Sequence, residues 1–92
     1  MARKISYQQA INEALAQEMR RDSSVFIMGE DVAGGAGAPG ENDAWGGVLG
    51  VTKGLYDQFP GRVLDTPLSE IGYVGAAVWS ATCGVRPLCE LM

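Results

Sequence analysis

The stretch that most constrains this chain runs from Ser69 to Cys83. It holds one acid, Glu70, and no base, and it mixes Gly72, Gly75, Ala76, Ala77 and Ala81 with larger apolar residues before Gly84 offers a C-cap. The segment is predicted to be a helix. A helix so poor in charge is not a surface helix: it has to be packed nearly all round, with its small residues letting other backbones come close. Strand-like segments flank it, Arg62-Val63-Leu64-Asp65 ended by Thr66-Pro67, and Leu88-Cys89-Glu90-Leu91-Met92 introduced by Arg86-Pro87. Strand, helix, strand over residues 62–92 makes a βαβ unit, and the predicted class is α/β with a parallel sheet. The covering layers such elements need exceed what 92 residues supply. Residues 1–92 are therefore expected to be the front part of a longer domain.

Ahead of that unit, Ser6 to Asp22 shows the helical spacing of one buried face, with Tyr7, Ala10, Ile11, Ala14, Leu15 and Met19 on it. Ser6 and Gln9 form a capping-box pair, and Arg20 and Arg21 suit the negative end of the helix dipole. Val25-Phe26-Ile27-Met28, ending at Gly29, is a short apolar run of the kind found in strands buried on both faces. Ala33 to Gly50 is a long glycine-rich loop, and loops of that length in compact domains are usually functional or disordered. Thr52 to Phe59 reads as a short helix stopped by Pro60-Gly61.

Composition removes several chemistries. Hydrophobic residues make up 47% and charged residues 20%, as in ordinary globular protein. With 7 basic against 11 acidic residues the net charge is -4, a poor match for phosphate backbones or anionic lipid. There is no histidine, so no Ser-His-Asp or Cys-His nucleophile and no His-ligated metal can be built from this chain. Cys83 and Cys89 form no CxxC pair, cannot fill a tetrahedral metal site alone, and are expected to be buried and reduced. No apolar run approaches the roughly 18 residues of a spanning helix, and Met1-Ala2-Arg3-Lys4 leads into a polar helix with no apolar leader, which sets the expectation of a cytosolic protein.

Each candidate site has a plainer alternative. Gly35-Ala36-Gly37-Ala38-Pro39-Gly40 is a literal GxGxxG, but it does not follow a strand directly, Pro39 interrupts it, and Glu41 and Asp43 would repel a pyrophosphate. A flexible or interface loop is the preferred reading. Glu30-Asp31 stands at the C-terminal end of the first strand, where open α/β sheets form ligand crevices; the alternative is a solvated acidic turn. Glu90 interrupts an apolar strand and, as a buried carboxylate, needs a partner, for which Arg86 is the nearest candidate. Glu70 falls in the first turn of the apolar helix, with Ser69 as its expected cap. An acid there can simply complement the dipole, yet Leu68, Ile71, Tyr73 and Val74 leave it in apolar company at the end of a parallel strand, where ligand chemistry occurs in this class.

Taken together, Gly29-Glu30-Asp31-Val32, Gly50-Val51-Thr52-Lys53-Gly54-Leu55, Arg62-Val63-Leu64-Asp65-Thr66-Pro67-Leu68-Ser69-Glu70, Gly75-Ala76-Ala77 and Gly84-Val85-Arg86-Pro87-Leu88-Cys89-Glu90 resemble the N-terminal region of one family. It comprises the β subunits of the thiamine-diphosphate-dependent dehydrogenase component of acetoin and 2-oxo acid dehydrogenase complexes. The loop with Asp43-Ala44-Trp45-Gly46-Gly47 looks most like the bacterial acetoin dehydrogenase members; pyruvate and branched-chain members have a shorter loop. The resemblance implies a transketolase-like pyrimidine-binding domain, truncated here, with a C-terminal transketolase-type domain beyond it. It implies thiamine diphosphate as cofactor, with the pyrimidine end on this chain and the diphosphate and magnesium on an α subunit. The implied assembly is an α2β2 heterotetramer serving a lipoyl-bearing acyltransferase.

By the same resemblance, the glutamate matching Glu70 hydrogen-bonds nitrogen N1′ of the aminopyrimidine. A carboxylic acid can donate its proton there and favour the imino tautomer, provided burial outweighs the helix N-terminus in setting its pKa. Leu68 is implied to lie close to the same ring, and Glu30 to match an acid near a water-filled channel between paired active sites. One departure stands out. Family members usually have glycine where this chain has Trp79, followed by Ser80, and an indole there overpacks the helix unless it faces the rest of the domain. The fragment alone is expected to be inactive.

Overall fold

Ser6 starts the first helix with the full reciprocal cap. Its Oγ accepts the Gln9 N–H at 3.1 Å, and the Gln9 side chain accepts the Ser6 N–H at 2.9 Å. The structure, a computed structural model, describes residues 2–33 and 46–91. Helix α1 spans Tyr7–Arg21, strand β1 Val25–Gly29, helix α2 Leu55–Gln58, strand β2 Val63–Asp65, helix α3 Glu70–Thr82 and strand β3 Arg86–Glu90. The glycine-rich hexapeptide 35–40, Glu41, Asp43 and Trp45 lie outside the described residues.

The sheet is three-stranded, ordered β2-β1-β3, and parallel throughout. Ile27 pairs in register with Val63 on one side and Leu88 on the other. The expected βαβ unit is present, but its two strands flank β1 instead of pairing with each other, so the crossover through α3 spans the central strand. β1 alternates buried and half-buried residues, with Ile27 wholly enclosed.

The core gathers Leu15, Ala16 and Met19 of α1, Val25 and Ile27 of β1, Val32, Leu55, Phe59 and Val63. Only the C-terminal half of α1 contributes. Tyr7, Ala10 and Ile11, expected on the buried face, are exposed, because a fifteen-residue helix outruns a five-residue strand and its first turns have no sheet beneath them; Ala14, also expected there, is exposed as well. Those turns serve another purpose. Asn12 Nδ2 donates to the carbonyls of Val51 and Lys53 at 2.8 and 2.9 Å, and Gln8 Nε2 to that of Leu49 at 2.6 Å, fastening the chain before α2 to the helix.

Arg62 ties the layers together. Its guanidinium donates to the carbonyls of Met19, Asp22 and Val25, all at 2.8 Å, and lies 5.3 Å from the centre of the Phe59 ring. One planar fork thus binds carbonyls at the end of α1 and at the start of β1, of which the Asp22 carbonyl also accepts the Val25 N–H at 3.2 Å.

Helix α3 departs from the expected all-round burial. Tyr73 and Ala77 are buried, while Ile71, Val78 and Trp79 are exposed. The apolar faces are real, but the described residues do not include what would cover them. Trp79 accordingly points outward at 74% exposure and causes no overpacking among the described residues. Cys83, expected to be buried, is exposed at the C-cap of this uncovered helix. Cys89 is half-buried, and burial pushes its thiol pKa up. Both are free thiols, as expected.

Candidate active site

Parallel alignment puts the C-terminal ends of all three strands at one edge, and the chain's acids collect there. Glu30 follows β1 directly, Glu90 closes β3, and Glu70 opens α3 five residues after β2 ends at Asp65. Glu30 is buried, at 4% exposure, and neither carboxyl oxygen has a hydrogen-bond partner. Its neighbours explain why. Burial first, then the facing Glu70 carboxyl, then the charges of Asp31 and Glu90 push the Glu30 pKa above the usual carboxylate range. A second negative charge facing Glu70 in a buried position is unfavourable, which disfavours the ionised form of Glu30. The alternative of a solvated acidic turn therefore holds for Asp31, which is exposed, and fails for Glu30.

Glu90 does not pair with Arg86. Four residues apart on a strand they are about 13 Å apart along its axis, and Arg86 instead meets Asp22 at 3.2 Å. Hydrogen bonds from the Ser24 hydroxyl and amide, and then the charge of Arg86, hold the Asp22 carboxyl below its usual range. Glu90 Oε2 is buried and unpartnered, and burial pushes this carboxyl up as well. Its carboxyl sits under Gly47, where a β-carbon would come within 3.2 Å of it. Gly47 has φ of +75° and its neighbour Gly46 +78°, both in the left-handed region that favours glycine.

Tyr73 joins this group from the first turns of α3. Its hydroxyl donates to the Glu90 main-chain carbonyl at 3.3 Å. Burial and then the charges of Glu30, Glu70 and Glu90 push the phenol above its usual pKa. The sequence points to Glu90 with Arg86 as its partner, which the structure does not bear out, and Tyr73 enters the group only with the structure; its signal in the sequence is its place three residues after Glu70, on the same helix face.

Glu70 occupies the first turn of α3 as expected, but it is exposed in this chain. The apolar shelter expected for it is therefore not supplied by the described residues, since Leu68 and Ile71 beside it are themselves 76% and 95% exposed. Ser69 is the N-cap by position, with φ of -154° and ψ of 64°, but makes no side-chain cap bond. The edge thus offers an accessible acid beside open apolar surface, backed by a buried carboxyl able to carry a proton. That combination fits a flat heterocycle with a basic ring nitrogen. Among the described residues no group of His, Cys, Asp or Glu could hold a metal ion, and no helix is long and apolar enough to cross a membrane.

A parallel sheet with a crossover helix that carries an acid at its start defines an α/β domain. The chain belongs to the transketolase pyrimidine binding domain family, whose model matches residues 3–92. Over all of its residues it is 67% identical to the acetoin:2,6-dichlorophenolindophenol oxidoreductase subunit beta of Cupriavidus necator, covering 27% of that protein. It is 58% identical to the subunit of the same name from Bacillus subtilis, covering all of this chain and 28% of the relative. The mitochondrial pyruvate dehydrogenase E1 component subunit beta of Dictyostelium discoideum is 41% identical over 98% of this chain and 23% of its own length. The chain therefore spans about a quarter of the length of the curated relatives it matches.

Proposed function

We propose that residues 1–92 form the N-terminal part of the pyrimidine-binding domain in an acetoin dehydrogenase β subunit. The parent enzyme cleaves acetoin and passes the two-carbon acetyl unit to a lipoyl group on a partner acyltransferase. It works as an α2β2 heterotetramer in the cytoplasm, with the pyrimidine end of thiamine diphosphate on this chain and the diphosphate and magnesium on the α subunit. The observation that carries the reading is the carboxyl pair at the sheet edge, Glu30 buried and without a partner behind Glu70. Identity of 67% and 58% to acetoin oxidoreductase subunits, against 41% to a pyruvate dehydrogenase subunit, supports acetoin as substrate.

When bound, thiamine diphosphate supplies the carbon nucleophile. Glu70 holds a proton at the pyrimidine N1′ position. Leu68 presents apolar surface to the same ring, and further walls from the α subunit and the rest of the β subunit exclude water from Glu70. Glu30, its pKa raised by burial and by the facing Glu70 carboxyl, stands behind Glu70 as a proton reserve. The 92-residue piece, lacking those walls, is inactive alone.

Turnover of acetoin and pyruvate by the full-length α/β assembly tests the substrate. Preference for acetoin is expected; preference for pyruvate or a branched-chain 2-oxo acid would move the assignment to those dehydrogenases. Micromolar binding of NAD or ATP through residues 35–40 would overturn the reading in favour of a nucleotide-binding module.

A further inference from the structure

Glu30 presents a problem that its own residue type does not solve. An unpartnered carboxyl inside a protein is unfavourable, and a free turn would swing it into water. The turn from Gly29 to Ala33 must therefore be held, and it is held against local preference. Asp31 has φ of 56°, in the left-handed region that residues other than glycine seldom adopt.

Several contacts secure it, three of them beyond Gly29. The Gly47 N–H donates to the Asp31 carbonyl at 3.1 Å, and the Val32 side chain is fully buried. The third is the one that uses a charged side chain: Asp65 Oδ1 accepts the Ala33 N–H at 2.7 Å. Asp65 is the last residue of β2 and lies in register with Gly29, while the next residue, Thr66, donates its N–H to the Gly29 carbonyl at 2.9 Å. The turn that carries Glu30 is thus bound at both ends to the segment that leads on to Glu70. A carboxylate acceptor makes this the strongest of the hydrogen bonds on the turn.

We propose that Asp65 is a positioning residue, which through the Ala33 amide holds the Gly29–Ala33 turn so that the Glu30 carboxyl stays buried at the C-terminal edge of the sheet. The groups that then face Glu30 are Glu70 and Tyr73 of α3, Glu90 of β3, and Asp31 of the turn itself. The consequence for catalysis rests on the function proposed above; the positioning does not.

The test uses the full-length α/β assembly without cofactor and has two readouts. Amide hydrogen exchange reports on Ala33, and the infrared carbonyl band of protonated carboxyls, assigned by its loss in Glu30→Gln, reports the pH at which Glu30 takes up its proton. In Asp65→Ala, exchange at Ala33 is expected to rise about 10- to 100-fold, the scale of losing one charge-assisted hydrogen bond, and the Glu30 band to appear only at lower pH. Asp65→Asn keeps an acceptor oxygen and is expected to restore both. Should Asp65→Ala fail to assemble, Asp65→Glu, whose carboxylate is displaced by one methylene, is expected to show the same loss of protection. Wild-type exchange and an unchanged band in these variants would overturn the proposal. Glu70→Gln separates the two ideas: if it leaves turnover intact while Asp65→Ala still frees Ala33, the cofactor reading fails and the positioning role stands.

Discussion

Gly29 lies in register with Glu90, so close that a β-carbon on Gly29 would meet both the Glu90 Cβ and its carbonyl oxygen at 2.9 Å. The contact is with main chain as well as side chain, so a rotamer change cannot relieve it. The Val32 Cγ1, at 3.2 Å from the same point, closes the remaining space. Gly29→Ala is expected to destabilise the full-length subunit by about 1–3 kcal/mol, the usual cost of overpacking, as read from its denaturant midpoint.

Arg62→Ala should cost more than a typical surface change. It removes the donors to the carbonyls of Met19, Asp22 and Val25 and the cation over Phe59. A loss of about 2–4 kcal/mol is expected from the charge-assisted hydrogen bonds removed, with the Met19 and Val25 carbonyls losing their side-chain donor. Arg62→Lys should recover only part of it, because one ammonium cannot reproduce the planar fork. Thermal denaturation of the three proteins, wild type included, checks both statements.

Much of this architecture is legible in the chain itself, and the misses have physical causes. Periodicity and the Ser6–Gln9 pair located α1, and the apolar run located β1, because those signals are local. The charge-poor sequence of α3 predicts all-round burial, whereas among the described residues only Tyr73 and Ala77 are buried and Ile71, Val78 and Trp79 are exposed. Proximity in sequence misled for Arg86 and Glu90, whose strand carries them apart, toward Asp22 and Gly47 respectively. At the candidate site the acids at 30 and 70 were legible as types at strand ends. Which of them is buried was not, because that depends on a turn held by Asp65 from another strand.

The raised pKa of Glu30 gives stability a definite pH dependence. The folded state keeps its proton at pH values where the unfolded chain has released it, so stability is greatest below the ordinary carboxylate range and falls as pH rises through the folded pKa. Glu90, raised by burial, acts in the same direction. Glu30→Gln removes the ionisation and should make the subunit more stable than wild type at neutral pH, with a flatter profile. Denaturant midpoints across mildly acidic to neutral pH measure this, and a wild-type slope in the variant would contradict the assignment of Glu30 as the buried acid.

The central claim concerns Glu70, and the most direct measurement is proton exchange at the thiazolium carbon of thiamine diphosphate bound to the full-length α/β assembly. With Glu70→Gln the assembly should form normally and exchange should slow by about 10²–10⁴-fold, the range for loss of a general acid–base group. Exchange at the wild-type rate in a correctly assembled Glu70→Gln enzyme would contradict the account.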